Sequence, residues 1–322
     1  MPDGGQKNES VNDTLFLVKK AARRTARNGK DYLDLVVSNM SLGELPAKLW
    51  NIGNFDEDEL TDSPFIKAGG TIEKYNGVRQ FRIEKIEHSV PEAAELPSLV
   101  ESTPYPPEKM YDRITEEIDS IESEDLRKLT KTLYERHREE LLYYPAAMSV
   151  HHNMLGGLLY HVYTMLRAAM QLCDIYTFLN RDLVRAGVVL HDIGKLKEMN
   201  ATDFGTVTDY SEEGNLLGHI ITGITEIDKC ADELGTDPKT ALLLKHMILS
   251  HHGKPEYGSS KEPAFAEAEL LHYVDVLDAR LNQFEKILRQ TPPLEFSPKV
   301  YSLEGRILYN HSLNYKEKDI GI

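Results

Sequence analysis

The run Val189-Leu190-His191-Asp192-Ile193-Gly194-Lys195 sets an imidazole and a carboxylate side by side at the end of an apolar stretch. That pairing suits a metal ion, because the imidazole offers a borderline nitrogen ligand and the carboxylate can bridge two ions. Lys195, three residues on, supplies a positive charge able to meet a bound phosphate. Other ionisable residues also sit in or beside apolar, helix-like stretches: His161 within Leu155 to Val162, His219 within Leu216 to Ile221, the pair His251-His252 after Leu249-Ser250, and Asp275 at the end of Leu270 to Val274. An ionisable group on an apolar helix is costly unless something pairs with it. One alone reads equally well as a hydrogen-bonded core histidine, whereas five such positions in one order point to a common purpose.

All of these residues lie in the second half of the chain, where the periodicity is helical. Leu126, Leu129, Leu133 and Leu141 recur near helical spacing in a charged segment, and Asp237-Pro238 is an N-cap followed by proline at the first helical position. The first half alternates short β-like runs with turn signals. Leu15 to Val18 leads into a basic stretch, Asn28-Gly29 marks a tight turn, and Tyr32 to Val37 resumes a strand. Further strands are expected around Leu45 to Trp50, Phe65 to Glu73 and Gln80 to Ile86, with Asn76-Gly77 turning the last pair. Five short strands in this length suit a small barrel such as an OB-fold. The expected organisation is multidomain: residues 1–12 a disordered N-terminus, 13–88 an all-β OB-fold barrel, 89–107 a linker carrying prolines 91, 97, 104, 106 and 107, and 108–322 an all-α domain. Ala201 to Tyr210 reads as a loop or small hairpin beside the candidate site.

With 322 residues and 41% hydrophobic side chains, the chain is long enough for two domains with proper cores. No stretch approaches the ~18 uninterrupted apolar residues of a membrane helix, and the start lacks the apolar core of a signal peptide, so a cytoplasmic protein is expected. Cys173 and Cys230 stand far apart without CxxC spacing and read as reduced core thiols. A formal net charge of −15 argues against a surface that grips nucleic acid everywhere, yet Lys19, Lys20, Arg23, Arg24, Arg27 and Lys30 form a local basic run free of acids. On a barrel these would track a phosphate backbone while aromatics such as Phe16, Tyr32, Trp50, Tyr75 or Phe81 stack bases. The competing readings are a charged edge strand guarded against aggregation and aromatics that simply fill the core.

The order His161, His191-Asp192, Asp275 resembles the H…HD…D pattern of the HD superfamily of metal-dependent phosphohydrolases, with His219 and His251 resembling the additions of its two-metal members. The likeness extends to His151-His152-Asn153, Gly156-Gly157-Leu158, Leu190 to Lys195, Leu216 to His219, Leu249 to Lys254 and His272 to Ala279, which together are similar to the YhaM-type 3′-to-5′ exoribonucleases. Leu49-Trp50 and the Tyr75-Asn76-Gly77 turn are also similar to the OB domain of that family.

The resemblance implies that His161, His191, Asp192 and Asp275 hold one divalent ion, with Asp192 bridging to a second held by His219 and His251. His252 is a further candidate ligand, although neighbours on a helix point about 100° apart. Asp278, at i+3 from Asp275, is expected to fix a neighbour by hydrogen bonding. The family points to Mn²⁺, while the mixed nitrogen and oxygen donors also admit Fe²⁺ or Zn²⁺ and suit Mg²⁺ less well. Asp192 and Lys195 are the candidate catalytic residues, with Lys195 a charge partner for the scissile phosphate. His151, His152 and Lys254 are candidate phosphate contacts. The implied activity is hydrolysis of single-stranded RNA, and possibly single-stranded DNA, from the 3′ end, with Trp50 and the basic run as nucleic-acid contacts. The alternative is a nucleotide or cyclic-nucleotide phosphohydrolase whose barrel only scaffolds. A homo-oligomer is compatible with either.

Overall fold

The structure, a computed structural model, describes residues 9–61, 63–75, 77–92, 95–146, 154–202 and 207–313. The chain divides into two compact units, Met1–Ser102 and Thr103–Ile322.

In the first unit β1 (Glu9–Thr25), β2 (Asp31–Asn39), β3 (Gly43–Leu49), β4 (Phe65–Tyr75) and β5 (Val78–His88) close into a barrel in the order β1-β2-β3-β5-β4. Neighbours are antiparallel except β3 and β5, which run parallel. This is the OB-fold arrangement. Strand alternation builds its core: Leu33, Leu35 and Val37 of β2 are buried between more exposed neighbours, and meet Leu45, Ala47 and Leu49 of β3. Phe16 and Phe81 pack inside the barrel with ring centroids 5.2 Å apart, so both are core residues and neither is a stacking platform. The long β1 pairs with β4 through its first part and β2 through its second, with irregularities between Val11 and Thr14 and between Val18 and Lys20. Gly29 turns from β1 to β2 at φ +78°, a conformation glycine adopts without strain.

Two boundaries differ from those expected. Residues 9–12 are already strand, with Glu9 opposite Ile72, rather than part of a disordered N-terminus, while residues 1–8 lie outside the described residues. The proline-rich stretch from 89 to 102 belongs to the barrel unit instead of standing apart as a linker. The Met40 N–H donates to the Ser98 carbonyl at 2.8 Å, and Leu99 is buried. Pro97 sits in a single 3₁₀ turn, Leu96–Ser98, and the buried Leu99 and Val100 that follow it anchor the stretch.

The second unit is helical: α1 (Pro107–Asp119), α2 (Glu124–Arg136), α3 (Arg138–Tyr143), α4 (Gly157–Ile175), α5 (Arg181–Leu190) and the short α6 (Lys195–Glu198). A hairpin of β6 (Met199–Ala201) and β7 (Val207–Tyr210) follows, then α7 (Glu212–Leu234), α8 (Pro238–Ser250) and α9 (Ala266–Gln290). The hairpin occupies the segment read as a loop or small hairpin, and residues 203–206 lie outside the described residues. Local sequence sets the helix starts. Asn180 accepts from the Leu183 N–H, Ser211 from that of Gly214 and Asp237 from that of Thr240, with Pro238 opening α8. The core joins α4, α5, α8 and α9 through Leu159, Val162, Val184, Val188, Leu244, Ile248, Leu271 and Val274, and it encloses both cysteines as free thiols. Among the described residues no helix is long and apolar enough to cross a membrane.

Candidate metal centre

His161 projects from the second turn of α4 and is fully buried. His191 and His251 occupy the same local position in different helices: each caps the C-terminus of its helix, α5 or α8, and turns its Nδ1 back onto a carbonyl three residues earlier. His191 Nδ1 donates to the Val188 oxygen at 2.9 Å and His251 Nδ1 to the Ile248 oxygen at 2.7 Å. That bond fixes the tautomer and leaves each Nε2 as a lone pair. His161 Nδ1 lies 2.7 Å from Asp278 Oδ2, so Asp278 holds its neighbour as expected, and His219 Nδ1 lies 3.0 Å from Glu198 Oε1.

The four Nε2 atoms converge on Asp192, whose two oxygens face different pairs. Oδ2 lies 3.1 Å from His191 Nε2 and 3.9 Å from His161 Nε2, while Oδ1 lies 3.6 Å from His219 Nε2 and 3.7 Å from His251 Nε2. Asp275 on α9 reaches His161 Nε2 at 3.3 Å. Ligand atoms of His161, His191 and Asp192 form one group within 4.8 Å, and those of His219, His251 and His252 form another. Both halves of the histidine pair thus reach the same place. The helical argument against this fails because α8 ends at Ser250, so His252 lies beyond the helix.

Buried polar atoms are normally hydrogen-bonded, yet Asp192 Oδ1 and the Nε2 atoms of His219 and His251 have no hydrogen-bond partner. Each would cost about 1–3 kcal/mol if left so. A donor set of imidazole nitrogens and carboxylate oxygens aimed at common points fits divalent cations, which satisfy these atoms. Charged neighbours and burial compete throughout the site. Burial opposes the His161 imidazolium, but Asp275 and Asp278 outweigh it and push the group up to about 10. Burial and the neighbouring His252 hold His251 well below the usual histidine value. For Asp192, burial is overcome by His191 and Lys195, and the carboxylate is kept well below its usual range.

Lys195 opens α6 rather than closing a helix, and its Nζ is 2.7 Å from Asp192 Oδ2, with little exposure. Gly194 lets this happen: a Cβ there would sit 2.0 Å from the His219 carbonyl and 2.6 Å from the Gly223 nitrogen, so glycine permits α7 to close on the site. Lys254 is exposed and lines a cavity of about 480 Å³ with His272 and Tyr273. His151 and His152 lie outside the described residues. Two residues missed from sequence bind the ligands from behind. Glu198 holds His219, and His272 Nδ1 donates to the His251 carbonyl at 2.8 Å. Glu198 carries no local signal, because its contact with His219 spans 21 residues of sequence.

On the barrel, Lys19, Lys20, Arg23, Arg24, Arg27 and Lys30 are exposed, but Lys19 pairs with Glu44 at 2.9 Å, Arg23 with Glu57 at 2.5 Å and Arg24 with Asp34 at 2.9 Å. Trp50 is 49% exposed and stacks on Tyr32 with centroids 4.6 Å apart, and Lys48 Nζ sits 4.6 Å from the Tyr32 ring centroid.

The family model described as HD domain matches residues 158–280, which contain all of these ligands. The 3′-5′ exoribonuclease YhaM of Listeria monocytogenes is 40% identical over 92% of this chain and 94% of its own. That of Bacillus subtilis is likewise 40% identical over 92% and 94%. No solved structure matches. The shared length takes in both units, and the chain belongs to the family of the YhaM 3′-5′ exoribonucleases.

Proposed function

We propose that the protein is a divalent-metal-dependent exoribonuclease that shortens single-stranded RNA from its 3′ end in the cytoplasm. The observation that carries this reading is the division of the Asp192 carboxylate, one oxygen toward His161 and His191 and the other toward His219 and His251. Two divalent ions held there supply what phosphodiester hydrolysis needs: stabilisation of both the attacking and the leaving oxygen, and a water acidic enough to ionise near neutral pH. His161, His191, Asp192 and Asp275 hold one ion, while His219, His251 and His252 hold the second with the other oxygen of Asp192. The nitrogen-rich donor set favours Mn²⁺ over Mg²⁺, which prefers oxygen ligands.

Lys195 holds its ammonium beside Asp192, where it balances the charge of a phosphate entering the site. Lys254, exposed beside the His251-His252 turn, meets the next phosphate along the strand. The exposed Trp50–Tyr32 stack with Lys48 against it gives the barrel a surface for a base and its phosphate, which favours a polymer over a free nucleotide as substrate. The test is single-stranded RNA labelled at the 5′ end and incubated with Mn²⁺. A stepwise shortening that a chelator stops and Mn²⁺ restores is the expected result. Intact RNA alongside hydrolysis of free nucleotides would replace this reading with a small-molecule phosphohydrolase.

A further inference from the structure

The two ligand groups are not supported equally. His161, His191 and His251 side chains are 0% exposed, that of His219 is 12% and that of Asp275 15%, so the difference between the groups lies in the backbone rather than in burial. His161 stands on an unbroken helix, but α7 breaks one residue before His219, at Gly218 with φ 72° and ψ 165°. The helix restarting there does not position the imidazole alone. Glu198 does so from α6: its Oε1 accepts from the His219 backbone N–H at 3.1 Å, and Oε1 and Oε2 lie 3.0 and 3.1 Å from His219 Nδ1. One carboxylate therefore caps the restarted helix and sets the ring so that Nε2 is the free lone pair, 3.6 Å from Asp192 Oδ1. Glu198 is itself anchored. Its carbonyl accepts from the Ser211 N–H at 3.0 Å, and Gly214 lies so near that a Cβ there would be 2.0 Å from that oxygen.

We propose that Glu198 is a positioning residue that governs occupancy of the ion on the His219, His251 and His252 side, and that this ion is the weaker and more exchangeable of the two. The inference rests on the two-ion reading of the site and not on the identity of the substrate. His219 contributes one of three nitrogens on that side, and its direction depends on a carboxylate borne by a helix of four residues. On the other side, Asp278 plays the corresponding part for His161 from within the long α9.

The experiment is titration of Mn²⁺ into the metal-free full chain, read by calorimetry and by bound metal per chain after dialysis, with RNA absent. Wild type is expected to bind two ions with unequal affinity. Glu198→Gln, nearly isosteric, should keep one ion at its original affinity and weaken the other about 10- to 100-fold, the usual cost of losing such a support. Glu198→Asp, too short to reach both donors, should fall between, and Asp278→Asn should weaken the tighter ion instead. Melting curves of the metal-free variants check that each chain is folded. Two ions of unchanged affinity in Glu198→Gln would overturn the proposal, as would loss of both ions from a folded variant or a wild type that binds only one. Because cleavage is not read, a wrong substrate leaves these outcomes unaffected.

Discussion

The two oxygens of Asp192 face different histidine pairs, so a substitution there acts on both halves of the centre at once. Asp192→Asn keeps the shape but replaces one of the two carboxylate oxygens by an amide nitrogen, whose delocalised lone pair does not ligate. It also removes the charge that balances Lys195 at 2.7 Å. Loss of several kcal/mol of transition-state stabilisation is expected, a fall of about 10³-fold in the rate of RNA shortening under saturating Mn²⁺. Single-turnover kinetics with the variant checks this, and a fall of less than about 10-fold would remove Asp192 from the bridging role. The histidines differ in kind from Asp192. Four of them have an Nδ1 partner, a carbonyl for His191 and His251 and a carboxylate for His161 and His219, which would leave Nε2 to face an ion.

Helix ends, rather than helix faces, place His191, His219 and His251. His191 and His251 cap α5 and α8, and His219 follows the break in α7. The apolar runs that precede them made these residues conspicuous in the sequence. The ordering of ligands and the barrel strands were legible because strand alternation and helical periodicity survive in a single chain. Glu198 was not legible, because its role depends on α6 meeting α7 at a kink that no local pattern announces. The strand at residues 9–12 was missed for a similar reason: its partner, β4, lies some sixty residues away. The glycine of the His-Asp-Ile-Gly-Lys run also acts through element packing. Its φ of −65° is open to any residue, so the requirement is space between the start of α6 and α7. Gly194→Ala is expected to push α7 away from the site, lowering stability by about 1–3 kcal/mol as overpacking does and weakening metal binding with it. A melting temperature and Mn²⁺ affinity equal to wild type would show that α7 yields without cost.

At the scale of the whole molecule, the proposed function assigns binding and cutting to different units of the chain. The barrel offers Trp50, Tyr32 and Lys48, and both candidate ligand groups found among the described residues lie in the helical unit. With a formal charge of −15, the proposed grip on RNA falls to the aromatic surface, since Lys19, Arg23, Arg24 and Lys48 all have acidic partners. Trp50→Ala should weaken binding of single-stranded RNA by about 1–3 kcal/mol, measured by fluorescence anisotropy, with Mn²⁺ binding unchanged. An unaltered Kd would take the base platform away from Trp50. The claim that ties both units together is directional cleavage by a metal centre, and its most direct measurement follows one single-stranded RNA labelled in turn at each end. With Mn²⁺, the 5′-labelled strand should give a ladder that shortens step by step while the 3′ label is released at once as a mononucleotide, and Asp192→Asn should give neither. Release of the 5′ label first, internal fragments from the outset, or wild-type cleavage in the presence of chelator would contradict the account.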